Sequence, residues 1–173
     1  MSADELETID ELTGVATRRS FFEQAVVVFD DAERSGEQLT AVFVDLNGLD
    51  YVNDTYGHHA GSELIREAAA ALTAVAREGD LIGRLGGDEL ALLRVGGSDA
   101  ADQVRLEIGD AVAVASRSSR PFGLSVSIGL AIATAAEANS VDGLLSLADD
   151  SMYEHKLAEG GRPGTPHVRA TPR

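Results

Sequence analysis

The chain predicts an α/β sandwich in which helices flank a central mixed sheet. Three features carry that reading. Long stretches place apolar residues three and four apart, short apolar runs lie between them, and one pair of adjacent glycines joins two such runs. The first helix is expected over Thr17–Ser35, with Phe21, Phe22, Ala25, Val26, Phe29 and Ala32 on one stripe. Thr17 suits its start and Gly36 its end. "LTAVFVD", from Leu39 to Asp45, is short and valine-rich, as a buried strand requires, and it stops on an acid. "NGLDYVNDTYGHHAG" is broken by Gly48, Gly57 and Gly61, which predicts loop and a short helical turn. "SELIREAAAALTAVARE" is the second clear helix, with Leu64, Ile65, Ala68, Leu72 and Val75 facing inward. "DLIGRL" and "ELALLRV" then form a hairpin through Gly86 and Gly87, expected as a two-residue turn with positive φ. A third helix begins at Ser98, a strand runs from Gly123 to Ala133, and a last helix turns Leu144, Leu145, Ala148, Met152 and Tyr153 inward. The expected organisation is an N-terminal extension over 1–9, one domain over 10–162 and a mobile, proline-rich tail over 163–173.

Composition narrows the function. No run of 18 apolar residues exists, so a membrane partner is not expected, and the acidic start is unlike a secretory signal. The absence of cysteine excludes disulfides, thiolate metal sites and a cysteine nucleophile, and it fits a cytoplasmic location. Acids outnumber bases 29 to 14, and a formal charge of −15 repels a nucleic-acid backbone. Most of that charge serves solubility. A phosphate ligand would still need cations close by: a metal, an arginine, or the single lysine, Lys156.

Two acidic points fall at the ends of strands expected to lie side by side. Asp45 closes one strand, and Asp88 with Glu89 sits at the hairpin tip. Bare carboxylates sharing a small volume repel and drive one pKa upward, a conflict that a divalent cation removes. Magnesium favours one or two carboxylates plus water and substrate phosphates, and it suits phosphoryl transfer. Strand ends and turns also carry acids for purely structural reasons.

The wording around these acids resembles the GGDEF domain family. "RLGGDEL" is similar to its signature, and "DELTGVATRRSFF" to its opening D-x-L-T-G-L-x-N-R-R-x-F. "VDLNGLDYVNDTYGHHAGSEL" follows D-x-D-x-F-K-x-x-N-D-x-x-G-H-x-x-G-D, "SVSIGLAIA" follows V-S-I-G-x-A, and "LADDSMYEHK" follows A-D-x-A-L-Y-x-A-K. The likeness runs in order from Asp10 to Arg162. It implies a palm-like sheet of about five strands packed by helices, related to adenylyl cyclase and polymerase palms. It also implies a diguanylate cyclase, a nucleotidyltransferase that condenses two GTP into cyclic di-GMP across a homodimer and expels pyrophosphate. By the same likeness Asp45, Asp88 and the Leu46 carbonyl would hold Mg2+ (or Mn2+), with Glu89 assisting. Asn53 would contact guanine, backbone amides at Gly48 and Leu49 would cradle phosphates, and Lys156 would reach them. Gly86 and Gly87 would let the hairpin approach the substrate closely. Arg77 and Asp80 form R-x-x-D, similar to an inhibitory product site for cyclic di-GMP. The input would come from a sensory domain or protein partner.

Three departures lie in the nucleotide pocket. Asp50 stands where the pattern has lysine, a change of two charge units where a unit pair at 4 Å is worth roughly 4 kcal/mol near a protein surface. Ser62 replaces an aspartate that accepts from guanine, and a hydroxyl can donate or accept. A subgroup with serine here makes mixed cyclic GMP-AMP. Gly160 takes the place of a phosphate-binding arginine, leaving Arg162 two residues late. Leu90 for phenylalanine is an apolar exchange. The alternatives to a GTP cyclase are therefore a degenerate module that binds GTP or cyclic di-GMP without turnover, and a cyclase with relaxed base choice.

Overall fold

The computed structural model describes residues 8–97, 101–116 and 120–158, with the side chains of 101–102 and 153–158 excepted. Its elements follow in chain order: β1 (Ala16–Thr17), α1 (Arg18–Ser35), β2 (Gln38–Leu46), α2 (Leu49–Tyr56), α3 (His58–Val75), β3 (Leu81–Arg84), β4 (Glu89–Val95), α4 (Ala101–Ala115), β5 (Val126–Thr134), α5 (Ala135–Ala138) and α6 (Val141–Ala158). The five strands form one sheet in the order β1-β3-β4-β2-β5. Only β1–β3 is parallel, so the sheet is mixed.

Alternation along the central strands explains the two layers. Val42, Val44 and Leu46 of β2, with Leu90 and Leu92 of β4, pack under α2, α3 and α4. Leu39 and Ala41, with Ala91 and Leu93, pack against α1, α5 and α6 on the other face. A strand covered on both faces has no polar side to show, which is why β2 and β4 read as continuous apolar runs.

Helix α1 begins and ends as expected: the Thr17 side chain accepts from the Ser20 amide, and Gly36 takes the left-handed conformation at φ 74°. Val26 does not join its inward stripe but is half exposed, because the buried line runs through Phe21, Ala25, Phe29 and Ala32. The glycine-broken stretch after β2 is more ordered than expected. It forms α2, and α3 starts at His58, with Gly57 as a bend at φ 89° between the two helices. Glycine there separates two helices rather than making a loop. Helix α3 correspondingly ends at Val75, and α5 begins on its own capping box between Thr134 and Glu137. Residues 8 and 9 already belong to the fold, since the Thr17 amide donates to the Thr8 carbonyl and Ile9 bridges Ala16. Ser98, Arg162 and the tail over 163–173 lie outside the described residues, as do the side chains of Tyr153 and Lys156.

The seat of α6 depends on one missing methyl group. A Cβ on Gly129 in β5 would stand 1.9 Å from the Ala148 carbonyl oxygen and 2.7 Å from the Met152 Cβ. Backbone occupies that space and cannot yield as a flexible side chain would. Gly129→Ala should lower stability by about 3 kcal/mol through overpacking, measured by denaturant unfolding, while Gly109→Ala, where nothing lies within 4 Å, should not.

Candidate functional site

The antiparallel ladder between β2 and β4 brings the acids together. Asp45 is the partner of Glu89, and one rung further the Leu46 amide donates to the Asp88 carbonyl at 2.9 Å. Asp45 and Glu89, directly opposed, share one face of the sheet with Cβ atoms about 5 Å apart. Asp88 precedes the first residue of β4, so strand alternation does not bind its side chain, and it lines an open cleft of about 510 Å3 on the α2–α3 side. Leu12, Leu49, Asp50, Asn53, His58, Ser62, Ile65, Arg84 and Gly87 complete that cleft.

The hairpin tip differs from the expected two-residue turn. Residues 85–88 separate β3 from β4, and neither Gly86 nor Gly87 has a positive φ. Arginines hold the tip instead: Arg84 donates to the carbonyls of Gly86 at 3.2 Å and Gly87 at 3.0 Å, and Arg18 to that of Leu85 at 3.1 Å. Of the two glycines only Gly86 is short of space. A Cβ on Gly86 would meet the Glu89 carboxylate at 2.7 Å, whereas Gly87 faces open volume and is exposed to the cleft.

Arg84 also forms an ion pair with Asp10, Nη1 to Oδ1 at 3.1 Å, with both side chains four-fifths buried. The Thr13 amide and hydroxyl donate to the same carboxylate at 3.0 and 2.6 Å. Burial pushes the Asp10 pKa up, but the Thr13 hydroxyl, the Arg84 charge and the further hydrogen bonds outweigh it and hold the carboxyl below its ordinary 3.8.

The far end of the cleft is built by α2 and α3. Asn53 lies across Gly61, where a Cβ would fall 1.8 Å from its Oδ1, so the carboxamide rests on bare backbone. Ser62 follows at once in α3. Between the two ends, Gly48 at φ 70° turns the chain into α2, whose first amides have no partner within the helix. Asn47 anchors this turn. Its amide donates to the Ser125 carbonyl at 2.8 Å, its Nδ2 to Ser125 Oγ at 3.2 Å, and its Oδ1 accepts from Ser127 Oγ at 2.9 Å. Sequence reasoning passed over Asn47, and also Leu12, His58, Ile65 and Arg84 as lining residues. The D-x-D pattern marked position 47, but its partners at the start of β5 and just before it appear only in the fold.

Asp50 is exposed and lines the cleft. Arg77 and Asp80 sit apart from it, where α3 runs into β3. The Asp80 side chain is 3% exposed and paired with Arg94 at 2.6 Å; it also accepts from the Arg77 amide at 2.8 Å. Arg94 donates further to the Val75 carbonyl at the end of α3. Asp80 thus works as a buried joint between α3, β3 and β4, while Arg77 is exposed.

Among the described residues no group of three or more His, Asp or Glu side chains gathers to hold a metal. Asp45 pairs with Glu89, Leu46 meets Asp88 on the adjoining rung, and of these four residues only Asp88 lines the cleft. Two carboxylates completed by carbonyl, water and phosphate oxygens suit magnesium, which rarely takes an all-protein cage.

The model of the diguanylate cyclase GGDEF domain matches residues 7–162, and the chain belongs to that family. Response regulator PleD of Caulobacter vibrioides is 31% identical over 159 residues, covering 89% of this chain and 35% of PleD. Diguanylate cyclase DgcP of Escherichia coli is 26% identical over 163 residues, covering 91% and 47%. The chain therefore spans between a third and a half of these curated relatives. Among solved structures, the GGDEF domain of DgcB from Caulobacter crescentus, in complex with c-di-GMP, superposes with a TM-score of 0.76. It is 26% identical and covers 98% of both chains. The diguanylate cyclase SiaD of Pseudomonas aeruginosa, solved with its activator SiaC, gives 0.75 at 26% identity, covering 90% of this chain and 61% of SiaD. Among the described residues no helix is long and apolar enough to cross a membrane.

Two outcomes follow from the site's geometry. Because the Asp10 pKa is depressed on folding, its stabilisation is complete above the unfolded value and disappears as pH falls through the folded one. Asp10→Asn should cost about 2 kcal/mol at neutral pH and flatten the acid limb of stability below pH ~4, read from unfolding curves across pH. Gly61→Ala should drive the Asn53 carboxamide from its seat, seen as a displaced Asn53 side-chain amide resonance in a folded protein.

Proposed function

We propose that this chain is a diguanylate cyclase that condenses two GTP into cyclic di-GMP. The observation that carries the reading is one cleft lined by Asn53, Ser62 and Asp88, with Asp45 one rung along the ladder from the Leu46–Asp88 contact. Asn53 can donate to and accept from a guanine edge. The Gly48–Leu49 turn, held by Asn47, aims helix amides at the terminal phosphates. Asp45, Asp88 and the Leu46 carbonyl would hold Mg2+ or Mn2+, with Glu89 adjacent and Lys156 and Arg162 as further phosphate cations. A metal held there would draw charge from the reacting phosphate and favour loss of the proton from the attacking hydroxyl.

The reaction needs two such clefts. The 3′-oxygen of one GTP bonds to the α-phosphorus of the other, the bond to the β-phosphate oxygen breaks, and pyrophosphate leaves with the 3′-proton passing to solvent. A second, reciprocal attack closes the ring. A cleft that takes one nucleotide supplies half of this, so the active form is a homodimer with clefts face to face. GTP supply fits a cytoplasmic site, with input from a sensory domain or protein partner. Arg77 offers an exposed guanidinium for product, with Asp80 already engaged by Arg94.

Ser62 in the cleft favours a second reading, a cyclase that also accepts ATP. Purified protein incubated with GTP, ATP and both, with Mg2+ or Mn2+, should yield cyclic di-GMP from GTP alone by mass spectrometry. A mixed cyclic GMP-AMP product would instead support relaxed base choice. Binding of cyclic di-GMP without any turnover would support the degenerate module. Asp88→Ala should remove at least 100-fold of any turnover while leaving the unfolding transition within about 0.5 kcal/mol. Retained activity would refute the metal assignment.

A further inference from the structure

We infer that Asp50 selects the charge state of the cleft's ligand: it admits a nucleoside polyphosphate neutralised by divalent cation and disfavours the free polyphosphate. The inference rests on the proposal that this cleft binds nucleotide. Its support is the balance of charge along the walls. Asp50 and Asp88 both line the cleft, and Asp50 lies in the first turn of α2, beside the amides that a phosphate would use. Arg84 is the one arginine or lysine among the described lining residues, and all its nitrogens are engaged. Nη1 is on Asp10, Nε on the Gly86 carbonyl and Nη2 on the Gly87 carbonyl. Among the described lining residues the positive charge of Arg84 is therefore matched by Asp10 and turned toward the hairpin, while Asp50 and Asp88 line the cleft.

An anion at the start of a helix stabilises that helix by complementing its dipole. The Asp50 carboxylate and an incoming phosphate thus compete for the same partial charge, and they repel each other across the cleft. Chelated cation lowers the charge of the polyphosphate and with it the repulsion. The uncharged parts of the ligand, base and ribose, meet Asn53, Ser62, Leu12 and Ile65 and do not feel this exchange. Asp50 should accordingly act on phosphate charge and leave base recognition alone.

The test compares wild type, Asp50→Asn and Asp50→Lys by calorimetric titration with GTP and with guanosine, at low salt, across magnesium concentrations. Asp50→Asn should bind GTP about tenfold tighter and Asp50→Lys tighter again, with guanosine affinity changed less than twofold. Wild-type affinity for GTP should climb more steeply with magnesium than that of Asp50→Asn. The gap between the proteins should narrow at high salt. Equal GTP affinity in all three proteins would overturn the inference while leaving nucleotide binding intact. Parallel shifts for GTP and guanosine would also overturn it, since they would mark a structural effect. Failure of all three to bind either ligand would overturn the nucleotide reading itself, and this inference with it.

Discussion

The guanidinium of Arg84 is the point on which the site's shape depends. It leaves β3 and reaches three backbone or side-chain partners at once: Asp10 from the N-terminal turn and the carbonyls of Gly86 and Gly87 at the hairpin tip. An arginine can do this because its five donors lie in one rigid plane, so satisfying one fixes the direction of the others. A loop with two glycines would otherwise sample many conformations. With Arg84 and Arg18 binding three successive carbonyls, it holds one, and neither glycine needs a left-handed φ. Burial of the pair in a partly dry setting is balanced by Thr13, which donates twice to the same carboxylate.

The neighbouring turn is fixed by a different device. Asn47 binds Ser125, just before β5, and Ser127 within it, so the entry into α2 is tied to the start of β5. A neutral amide does this without adding charge next to the acids of the ladder. Both ends of the cleft are thus tied to the sheet through short polar contacts, and the sheet is held by apolar layers on its two faces. The cleft walls stand on rigid elements while their inner surface stays open.

Charge is handled in two contrasting ways across the molecule. Asp80 and Arg94 are both nearly fully buried and neutralise each other at a junction of three elements. Removing one member of such a pair strands the other, so they hold each other in place. Asp50 and Asp88, by contrast, face the open cleft. The contrast is sharpened because Arg84, the one arginine or lysine among the described lining residues, is paired with Asp10.

The helices, the central strands and part of the candidate cleft were legible in the residue order alone. Apolar spacing marked α1, α3 and α6, because a helix buried on one side must repeat its buried residues each turn. The motif wording marked Asp45, Asp88, Asn53 and Ser62, and the fold sets the last three in one cleft. Several outcomes belonged to tertiary structure. The glycine-broken stretch became α2, since the Gly57 bend lets two helices pack where a lone short helix would not persist. Asp80 turned inward because Arg94, 14 residues later, lies across the hairpin from it. Asp50 stayed in the cleft wall, and Arg84 proved engaged, through contacts with residues far away in sequence. Local pattern reports which side chains a segment carries; which of them meet depends on distant strands coming into register.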